Sequence, residues 1–520
     1  MRPQPPLGRS AGLVVPLFSL HSSQSGGIGE IPDLAALGPW LRRAGLHAVQ
    51  LLPVGTLPAG ETSPYSALSA MAIDPVYLAL SQVDDYVAAG GDIRLPLADQ
   101  VALRVARSAP EVNYTAVRQA KESALRLAFS LFWEVDWLRT TPRAGAFASY
   151  VSWEDWWLGD YALYCALRGR YGPRWNEWPA PLARHERDAL DDARRELEQE
   201  VLFHQYLQWL ADVQWEAARE ALGDIRVFGD FPFMVSIDSA DVWAHQSVFR
   251  FDRTVGTPPD AFSETGQDWG LPVYRWDAMA ASDDRWLRQR ARRMSRLYDG
   301  YRVDHLVGFF RTYSRALGEA LGDFEPETVL EQQAQGERVL RIFIETGAQV
   351  TAEDLGSIPD FVRASLAALE VPGYKVLRWE REWEVPGQPF LPPPGYPKVS
   401  VATTSTHDIE PLALWWDMMD VDERAAMLQS MNRSAPPDAP FDRTLHRALL
   451  EHAGSAGSDL LLLPIQDVFG WPDRINVPAT VGEHNWTWKL PLSVEALDAD
   501  ASAVEAADQL RAVLSESGRL

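Results

Sequence analysis

The sequence predicts an α/β fold, specifically a (β/α)8 TIM barrel with large, mainly helical insertions between its strands. Three observations lead to this prediction. Short apolar, β-branched runs alternate with helical patterns, which is typical of a parallel sheet buried on both faces. Carboxylates recur at the ends of these runs, where a barrel places its functional side chains. No G-x-G-x-x-G fingerprint of an open dinucleotide-binding sheet follows a strand.

Seven runs are predicted as strands, and one further run would complete a barrel of eight. The seven are Leu46–Val54, Ile225–Phe233, Gly300–Leu306, Gln349–Leu355, Tyr374–Trp379, Ser400–Asp408 and Leu460–Asp467. Ala72–Leu78 is the candidate for the eighth. Carboxylates occupy five strand ends, at Asp230, Asp304, Glu353, Asp408 and Asp467. A single carboxylate there would be explained by capping of the next helix, but five favour a shared cleft.

Residues 1–520 are interpreted as a single catalytic barrel domain with two insertions. The first, residues 81–220, has long amphipathic, charge-rich helical patterns and is expected to form a helical subdomain. The second, approximately residues 240–295, is expected to be rich in loops and to lie over the active-site cleft. It contains Trp269 in a Gly- and Pro-bounded stretch, where a core side chain is less expected than a platform for a sugar ring.

Charge excludes several classes of partner. Lys and Arg number 48 against 72 Asp and Glu, which gives a net charge of −24. Such a protein repels nucleic acid and anionic membrane surfaces, whereas binding of a neutral sugar does not depend on the sign of the net charge.

With one cysteine, Cys165, no intrachain disulfide can form. The N-terminus does not resemble a signal peptide, and a cytoplasmic location is expected. The sequence makes no prediction of the oligomeric state.

Asp304 and Glu353 form the candidate catalytic pair. Retaining cleavage of a glycosidic bond needs two carboxyl groups about 5–5.5 Å apart, one as nucleophile and the other as acid and base. They lie 49 residues apart, which leaves room for one helix and one return strand. The two residues would then lie at the ends of adjacent strands, with their side chains facing each other across a cleft. Arg302 shares a strand face with Asp304 and is expected to keep it ionised. Glu353 has no neighbouring cation in sequence, which is consistent with a carboxyl that holds a proton.

Other chemistries have weaker sequence support. His407 beside Asp408 offers hydrogen bonds to sugar hydroxyls. A metal site built from acidic residues and histidines is the alternative, but neither H-E-x-x-H nor D-x-D-x-D-G spacing occurs, and no metal is expected. The phosphate-binding G-x-x-x-x-G-K-[ST] loop and the G-x-S-x-G nucleophile elbow are also absent from the sequence.

Six motifs in order resemble the 4-α-glucanotransferases, also called amylomaltases or disproportionating enzymes, of the α-amylase clan. The resemblance runs from Ser22 to Trp486, about nine-tenths of the chain. The motifs are Ser63–Tyr65, Asp238–Trp243, Pro258–Gly270, Arg302–His305, Ala352–Gly356 and Thr406–Asp408.

The resemblance implies a role for each matching residue. Asp304 would be the nucleophile that forms a glucosyl-enzyme, Glu353 the acid/base, and Asp408 the carboxylate that binds hydroxyls of the distorted sugar. The residues implied around the bound glucan are Arg302, His407, Ser63, Tyr65, Asp230, Gln267, Trp269 and Asn476. The family transfers maltooligosaccharide or longer α-glucan segments to the 4-hydroxyl of another glucan. It needs no cofactor and has no C-terminal β-sandwich.

Three departures from the family pattern lie next to these residues. Val307 stands where the family usually has an arginine, Ile409–Pro411 replaces the usual segment after Asp408, and Tyr374 replaces a methionine. Two alternatives therefore stay open. One is a clan relative that mainly hydrolyses α-glucosidic bonds or uses a different α-glucoside. The other is an inactive glucan-binding protein, against which the intact carboxylate triad argues.

Overall fold

A computed structural model describes residues 6–259, 266–434, 436–478, 480, 482 and 484–520. Its strands are β1 (Ser10–Val14), β2 (Ala48–Gln50), β3 (Arg226–Phe231), β4 (Phe249–Thr257), β5 (Gln267–Tyr274), β6 (Gly300–Val303), β7 (Thr312–Ala316), β8 (Asp323–Glu325), β9 (Gln349–Ala352), β10 (Gly373–Val376), β11 (Ser400–Thr403) and β12 (Leu460–Pro464). Eight of them close a parallel barrel in the order β1-β12-β11-β10-β9-β6-β3-β2. The predicted (β/α)8 barrel is confirmed.

The helices are α1 (Ile31–Ala36), α2 (Gly38–Ala44), α3 (Asp84–Ala88), α4 (Leu97–Ser108), α5 (Tyr114–Phe132), α6 (Pro142–Tyr171), α7 (Ala180–Ala183), α8 (Arg187–Glu196), α9 (Glu198–Leu222), α10 (Ala240–Ala244), α11 (Trp276–Ala281), α12 (Arg285–Leu297), α13 (Val307–Phe310), α14 (Val329–Ile344), α15 (Asp360–Ala368), α16 (Leu412–Met418), α17 (Val421–Ser430), α18 (Arg443–Gly454), α19 (Ile465–Phe469) and α20 (Ala501–Glu516). Residues 81–220, all described, contain helices and turns and no strand. That they form an inserted subdomain stays a prediction.

Six side chains from the barrel strands form one buried apolar cluster in the barrel interior. Ala48, Phe228, Tyr374, Val401, Leu460 and Leu462 form this buried cluster. Gly12 on β1 faces it, and a Cβ atom there would lie 2.9 Å from Leu462 Cδ2 and 3.0 Å from Ala48 Cβ. A side chain at position 12 would therefore force the packed interior apart.

The eighth barrel strand is β1, so the assignment of residues Ala72–Leu78 to a strand was wrong. Ile73 makes only an isolated bridge to Gly55. Asp74 then accepts a hydrogen bond from the Val76 N–H and caps a 3-10 turn that starts at Pro75. Proline has no N–H to donate to a neighbouring strand, which explains why this apolar run does not extend the sheet.

The second insertion is more regular than the sequence predicted. Strands β4 and β5 pair antiparallel within residues 240–295, and β7 and β8 extend them into a sheet of order β5-β4-β7-β8. Trp269 belongs to β5, not to a loop. The Gly- and Pro-rich stretch joins β4 to β5, and its residues 260–265 lie outside the described residues.

The described part of residues 465–520 contains helices and loops but no strand. Among the described residues, no helix combines the length and the apolar character needed to cross a membrane.

Candidate active site

Three neighbouring barrel strands bring carboxylates to one end of the barrel. Asp230 is the penultimate residue of β3, while Asp304 and Glu353 directly follow β6 and β9. The Asp304 N–H donates to the Phe231 carbonyl at 3.0 Å, and the Glu353 N–H donates to the Val303 carbonyl at 3.0 Å. These hydrogen bonds continue the sheet register past the strands, so the three side chains leave the barrel side by side.

Arg302 binds all three carboxylates. Its Nη1 lies 2.6 Å from Asp230 Oδ2, and its Nη2 lies 3.1 Å from both Asp304 Oδ1 and Glu353 Oε2. The Arg302 side chain is only 6% exposed. A buried guanidinium with several fixed donors suits this arrangement, because its charge offsets anions that burial would otherwise neutralise.

The contacts of Arg302 limit the distance between the two candidate catalytic carboxyls. Asp304 Oδ1 and Glu353 Oε2 each lie 3.1 Å from the same nitrogen, so these two oxygens are at most about 6.2 Å apart. The two carboxyl groups are therefore close neighbours, as in retaining glycosidases, where they are roughly 5–5.5 Å apart. The geometry fits a retaining site.

The protonation of the pair is the reverse of the sequence expectation. Burial raises the pKa of Asp304 to about 8, and the nearby Arg302 offsets this only in part. Burial also acts to raise the pKa of Glu353, but Arg302 and the backbone N–H of His305, 2.7 Å from Glu353 Oε2, outweigh it and lower that pKa. Because Arg302 contacts both carboxyls, it does not keep Asp304 alone ionised. The opposite directions of the two pKa shifts favour protonated Asp304 beside ionised Glu353 in the free protein.

Asp408 reaches the same cluster from the loop after β11. Its Oδ2 lies 3.3 Å from His407 Nε2, and its Oδ1 accepts a 2.7 Å hydrogen bond from Asn476 Nδ2. Burial opposes ionisation of Asp408, but His407 and Asn476 hold its pKa below the usual range. Tyr65 links the Asp230 carboxylate to His407, since its hydroxyl donates to Asp230 Oδ2 at 2.9 Å and lies 3.1 Å from His407 Nε2.

Gln267 and Trp269 reach the site through His305. The rings of Trp269 and His305 meet edge to face, 4.9 Å apart, and Trp269 Nε1 donates to Gln267 Oε1 at 3.2 Å. His305 has the left-handed backbone angle φ 44°, a conformation that costs free energy and clusters at functional sites. Ser63 lies two residues before Tyr65 in the same loop, where its N–H donates to Glu61 at 2.9 Å.

Asp467, the fifth strand-end carboxylate, lies apart from this cluster. Its oxygens accept hydrogen bonds from Thr404 Oγ1 at 2.5 Å, Ser405 Oγ at 2.6 Å and the Leu412 N–H at 2.6 Å. Asp467 is fully buried and joins the end of β11 to the start of α16. The expectation that it shares the cleft was therefore wrong, because its acceptor capacity is used by the fold.

Sequence reasoning missed a set of ion pairs behind Asp408. Arg474 donates to the Asp408 carbonyl at 2.9 Å and to the Asn476 carbonyl at 3.2 Å, and it also pairs with Glu410. The second oxygen of Glu410 lies 2.7 Å from Arg378. Glu410 belongs to the segment that departs from the family pattern, which was the available signal. These contacts orient Asp408 and Asn476 toward one another.

We expect Arg474→Met to lower kcat by roughly 10²-fold, because a shift of about 1 Å in a positioned group has an effect of that size. Steady-state kinetics with maltooligosaccharides would measure it. Arg433→Met, which removes a surface ion pair with Glu451, is the matched control and should leave kcat unchanged. Equal activity in both variants would show that Arg474 has no positioning role.

The other two departures do not disturb the carboxylates. Val307 begins the short helix α13, whose main chain follows His305. Tyr374 is buried in the barrel interior, where its hydroxyl donates to Gln50 Oε1 at 3.2 Å. Among the described residues, no group of three or more His, Cys, Asp or Glu is arranged to hold a metal ion.

A (β/α)8 barrel with paired carboxylates, further polar groups and aromatic side chains at its carboxyl end has the features of a carbohydrate-active enzyme. The 4-alpha-glucanotransferase family model matches residues 15–494. The chain is 31% identical to the 4-alpha-glucanotransferase of Chlamydia pneumoniae over 506 residues, covering 94% of this chain and 92% of that protein. It is 35% identical to the Thermus thermophilus 4-alpha-glucanotransferase over 473 residues, with coverages of 87% and 89%.

Solved structures agree on the fold. The amylomaltase of Streptococcus agalactiae in complex with acarbose superposes with a TM-score of 0.83 at 24% identity, covering 98% of this chain and 99% of that one. The amylomaltase of Corynebacterium glutamicum gives a TM-score of 0.80 at 23% identity, with coverages of 96% and 75%. The chain belongs to the 4-alpha-glucanotransferase family.

Proposed function

We propose that this 4-alpha-glucanotransferase transfers α-1,4-glucan segments to the 4-hydroxyl of another glucan or of glucose by double displacement. The shared contact of Asp304 and Glu353 with one guanidinium carries the proposal, because it holds two carboxyls at a separation that suits a retaining reaction. No cofactor takes part in the proposed chemistry.

In the first step, an Asp304 carboxylate oxygen attacks the anomeric carbon while the glycosidic C–O bond breaks. The Glu353 proton passes to the departing oxygen. In the second step, Glu353 takes the proton of an acceptor 4-hydroxyl, whose oxygen attacks the same carbon and releases Asp304. The reactive form therefore has the proton on Glu353. Because both carboxyls lie beside Arg302, moving the proton from Asp304 to Glu353 leaves the total charge unchanged.

The surrounding residues are proposed to bind the glucan in different ways. Asp408, with His407 and Asn476, would accept hydrogen bonds from hydroxyls of the sugar being cleaved, since ionised Asp408 is an acceptor. Trp269 would stack on a pyranose ring, and the other groove positions are Ser63, Tyr65 and Gln267. Asp230 is only 2% exposed and already binds Arg302 and Tyr65. We propose that it positions those two residues and does not touch the glucan.

Incubation with maltotriose tests transfer against its alternatives. Transfer should yield glucose together with a ladder of longer maltooligosaccharides, resolved by anion-exchange chromatography. Hydrolysis would give only shorter products, and an inactive glucan-binding protein would give none. Glu353→Gln, which cannot donate the proton, is the control and should abolish the ladder. Shortening without elongation in the unmodified protein would contradict the proposal.

We also propose that the protein works in the cytoplasm on maltooligosaccharides or longer α-glucans. A single cysteine fits a reducing compartment, where disulfides are rare. The net charge of −24 disfavours nucleic acid and anionic membrane surfaces as partners. Activity measured in separated cell fractions would test the location.

A further inference from the structure

Arg290 is a buried cation without a carboxylate partner. It lies on the buried face of α12, is 2% exposed, and forms no ion pair among the described residues. Arg293 on the same face is buried as deeply, but it binds Asp212 through hydrogen bonds of 3.0 and 2.7 Å. A buried charge without a counter-ion costs free energy. A purely structural role therefore explains Arg293 better than Arg290.

Arg290 holds one peptide group at the end of β3. Its Nη2 donates to the Pro232 carbonyl at 2.7 Å, and its Nη1 donates to the Tyr274 hydroxyl at 3.1 Å. That hydroxyl donates in turn to the Phe233 carbonyl at 2.5 Å. The guanidinium also lies 4.0 Å from the centre of the Phe231 ring. These contacts fix the main chain that leaves β3 toward the candidate active site.

The other end of this peptide group points to Asp304. The bond between Pro232 and Phe233 is trans, so its C=O and N–H project in opposite directions. Arg290 binds the oxygen, and the Phe233 N–H donates to Asp304 Oδ2 at 3.5 Å. The closest contact of Arg302 is with the other carboxyl oxygen, Oδ1, at 3.1 Å. The peptide group 232–233 thus reaches the carboxyl oxygen that lies farther from Arg302.

This contact favours the ionised form of Asp304. A cation at the oxygen of a peptide group makes its N–H a stronger donor, because consecutive hydrogen bonds polarise one another. An N–H that donates to a carboxyl group stabilises its charged form. At 3.5 Å the Phe233 contact is long in the free protein, as catalytic hydrogen bonds often are before substrate binds. The arrangement connects Arg290 with Asp304 through one peptide group, without direct contact.

Other charged and titratable groups also act on the two ends of this arrangement. Those around Asp304 are Arg302, Glu353, Asp230 and His407, and those around Arg290 are Tyr274, Asp241 and Tyr301. A substitution of Arg290 leaves the four groups around Asp304 in place. A change in the titration of Asp304 in such a variant would therefore report the loss of Arg290 and of the peptide contact that it holds.

We propose that Arg290 is a positioning residue for the nucleophile. It holds the peptide group 232–233 with its N–H directed at Asp304 Oδ2, and so stabilises the ionised carboxyl that attacks the anomeric carbon. The inference rests on the proposed transfer function and on Asp304 as its nucleophile. Arg290 is buried and acts without touching the glucan.

The pH dependence of kcat/KM for maltotriose tests this role. The reactive form has Asp304 ionised and Glu353 protonated. A higher pKa of Asp304 makes this form rarer and keeps the last proton of the pair bound to higher pH. Arg290→Met should therefore lower the maximum of kcat/KM by about tenfold and move the alkaline limb of the profile up by about one pH unit. Arg290→Lys keeps the charge but not the fork of donors, and should show both changes at smaller size.

Arg293→Lys is the matched control. It weakens the pairing with Asp212 on the same helix face, so it should lower the thermal midpoint without moving the alkaline limb. Arg290→Lys also carries the test if Arg290→Met does not fold. An alkaline limb at its original pH in every folded Arg290 variant would overturn the positioning role, because a loss of folded protein lowers activity without moving a titration.

Thermal stability tests the same contact without turnover. Asp304→Asn should raise the thermal midpoint by an amount that grows with pH until the pH exceeds the pKa of Asp304. In an Arg290→Lys background, this growth should continue to higher pH. The same pH dependence in both backgrounds would overturn the inference even if transfer is established. Absence of a maltotriose ladder from the unmodified protein would contradict the proposed function alone.

Discussion

Asp304→Asn is expected to lower turnover of maltooligosaccharides by at least ~10⁴-fold, because the amide cannot attack the anomeric carbon. The same substitution should raise thermal stability near neutral pH. Burial raises the pKa of Asp304 to about 8, above its unfolded value, so the folded protein binds an extra proton between these two pH values. Stability due to this carboxyl is present at low pH and falls as pH rises toward 8. An asparagine at position 304 does not titrate, so the variant does not lose stability through this group as the pH rises.

Thermal midpoints at pH 5 and pH 8, together with initial rates, would measure both effects. The stability gain of Asp304→Asn should be larger at pH 8. A variant that loses activity and stability together would point to a structural role for Asp304. Residual turnover close to that of the unmodified enzyme would contradict its assignment as nucleophile.

The raised pKa of Asp304 and the lowered pKa of Glu353 are opposite to what the proposed roles require, so the reverse assignment of roles is the competing hypothesis. Azide and an activated α-glucoside distinguish the two assignments. If Asp304 is the nucleophile, Glu353→Ala retains the covalent step, and azide intercepts the intermediate with net retention to give the α-glucosyl azide. Asp304→Ala would instead allow direct attack by azide and give the β-product. The opposite pairing of products, or an adduct trapped on Glu353, would assign the nucleophile to Glu353.

Arg302→Met is expected to destabilise the folded protein by about 3–5 kcal/mol at neutral pH, the cost of leaving buried charges without their partner. Asp230, Asp304 and Glu353 all contact this guanidinium. Without it, burial and mutual repulsion raise the pKa values of Asp230 and Asp304, which already lie above their usual range, and also raise the pKa of Glu353 from its lowered value. Stability should then be greatest at acidic pH and fall as pH rises through the new pKa values. Activity should also be lost.

Denaturation midpoints measured from pH 5 to pH 8.5 would show this slope. Arg302→Lys keeps the charge without the fork of donors and should recover part of the stability but little activity. Arg302→Met/Asp230→Asn removes one carboxylate and should be more stable than Arg302→Met alone. If Arg302→Met showed the same pH dependence as the unmodified protein, the charge balance inferred around Arg302 would be wrong.

Much of the fold could be predicted from local patterns. Seven barrel strands follow from apolar runs that end in polar residues, since a parallel strand buried on both faces must be apolar along its length. The eighth was misassigned because Ser10–Val14 is short and contains Gly12, whereas Ala72–Leu78 is apolar but interrupted by Pro75. Only the packing against Leu462 explains why glycine belongs in a barrel strand.

The strand-end carboxylates also combine features that local sequence predicts with features that depend on tertiary packing. Local composition marks strand ends, so the positions of Asp304 and Glu353 after strands could be predicted, and the family motifs added Asp408. Which carboxylates meet depends on the folded chain. Asp467 accepts hydrogen bonds from Thr404, Ser405 and Leu412, whereas Arg302 contacts both Asp304 and Glu353. Burial raises the pKa of Asp304, while Arg302 and the His305 N–H lower that of Glu353. Charge interactions and burial depend on distances between residues far apart in sequence, and those distances exist only in the folded chain.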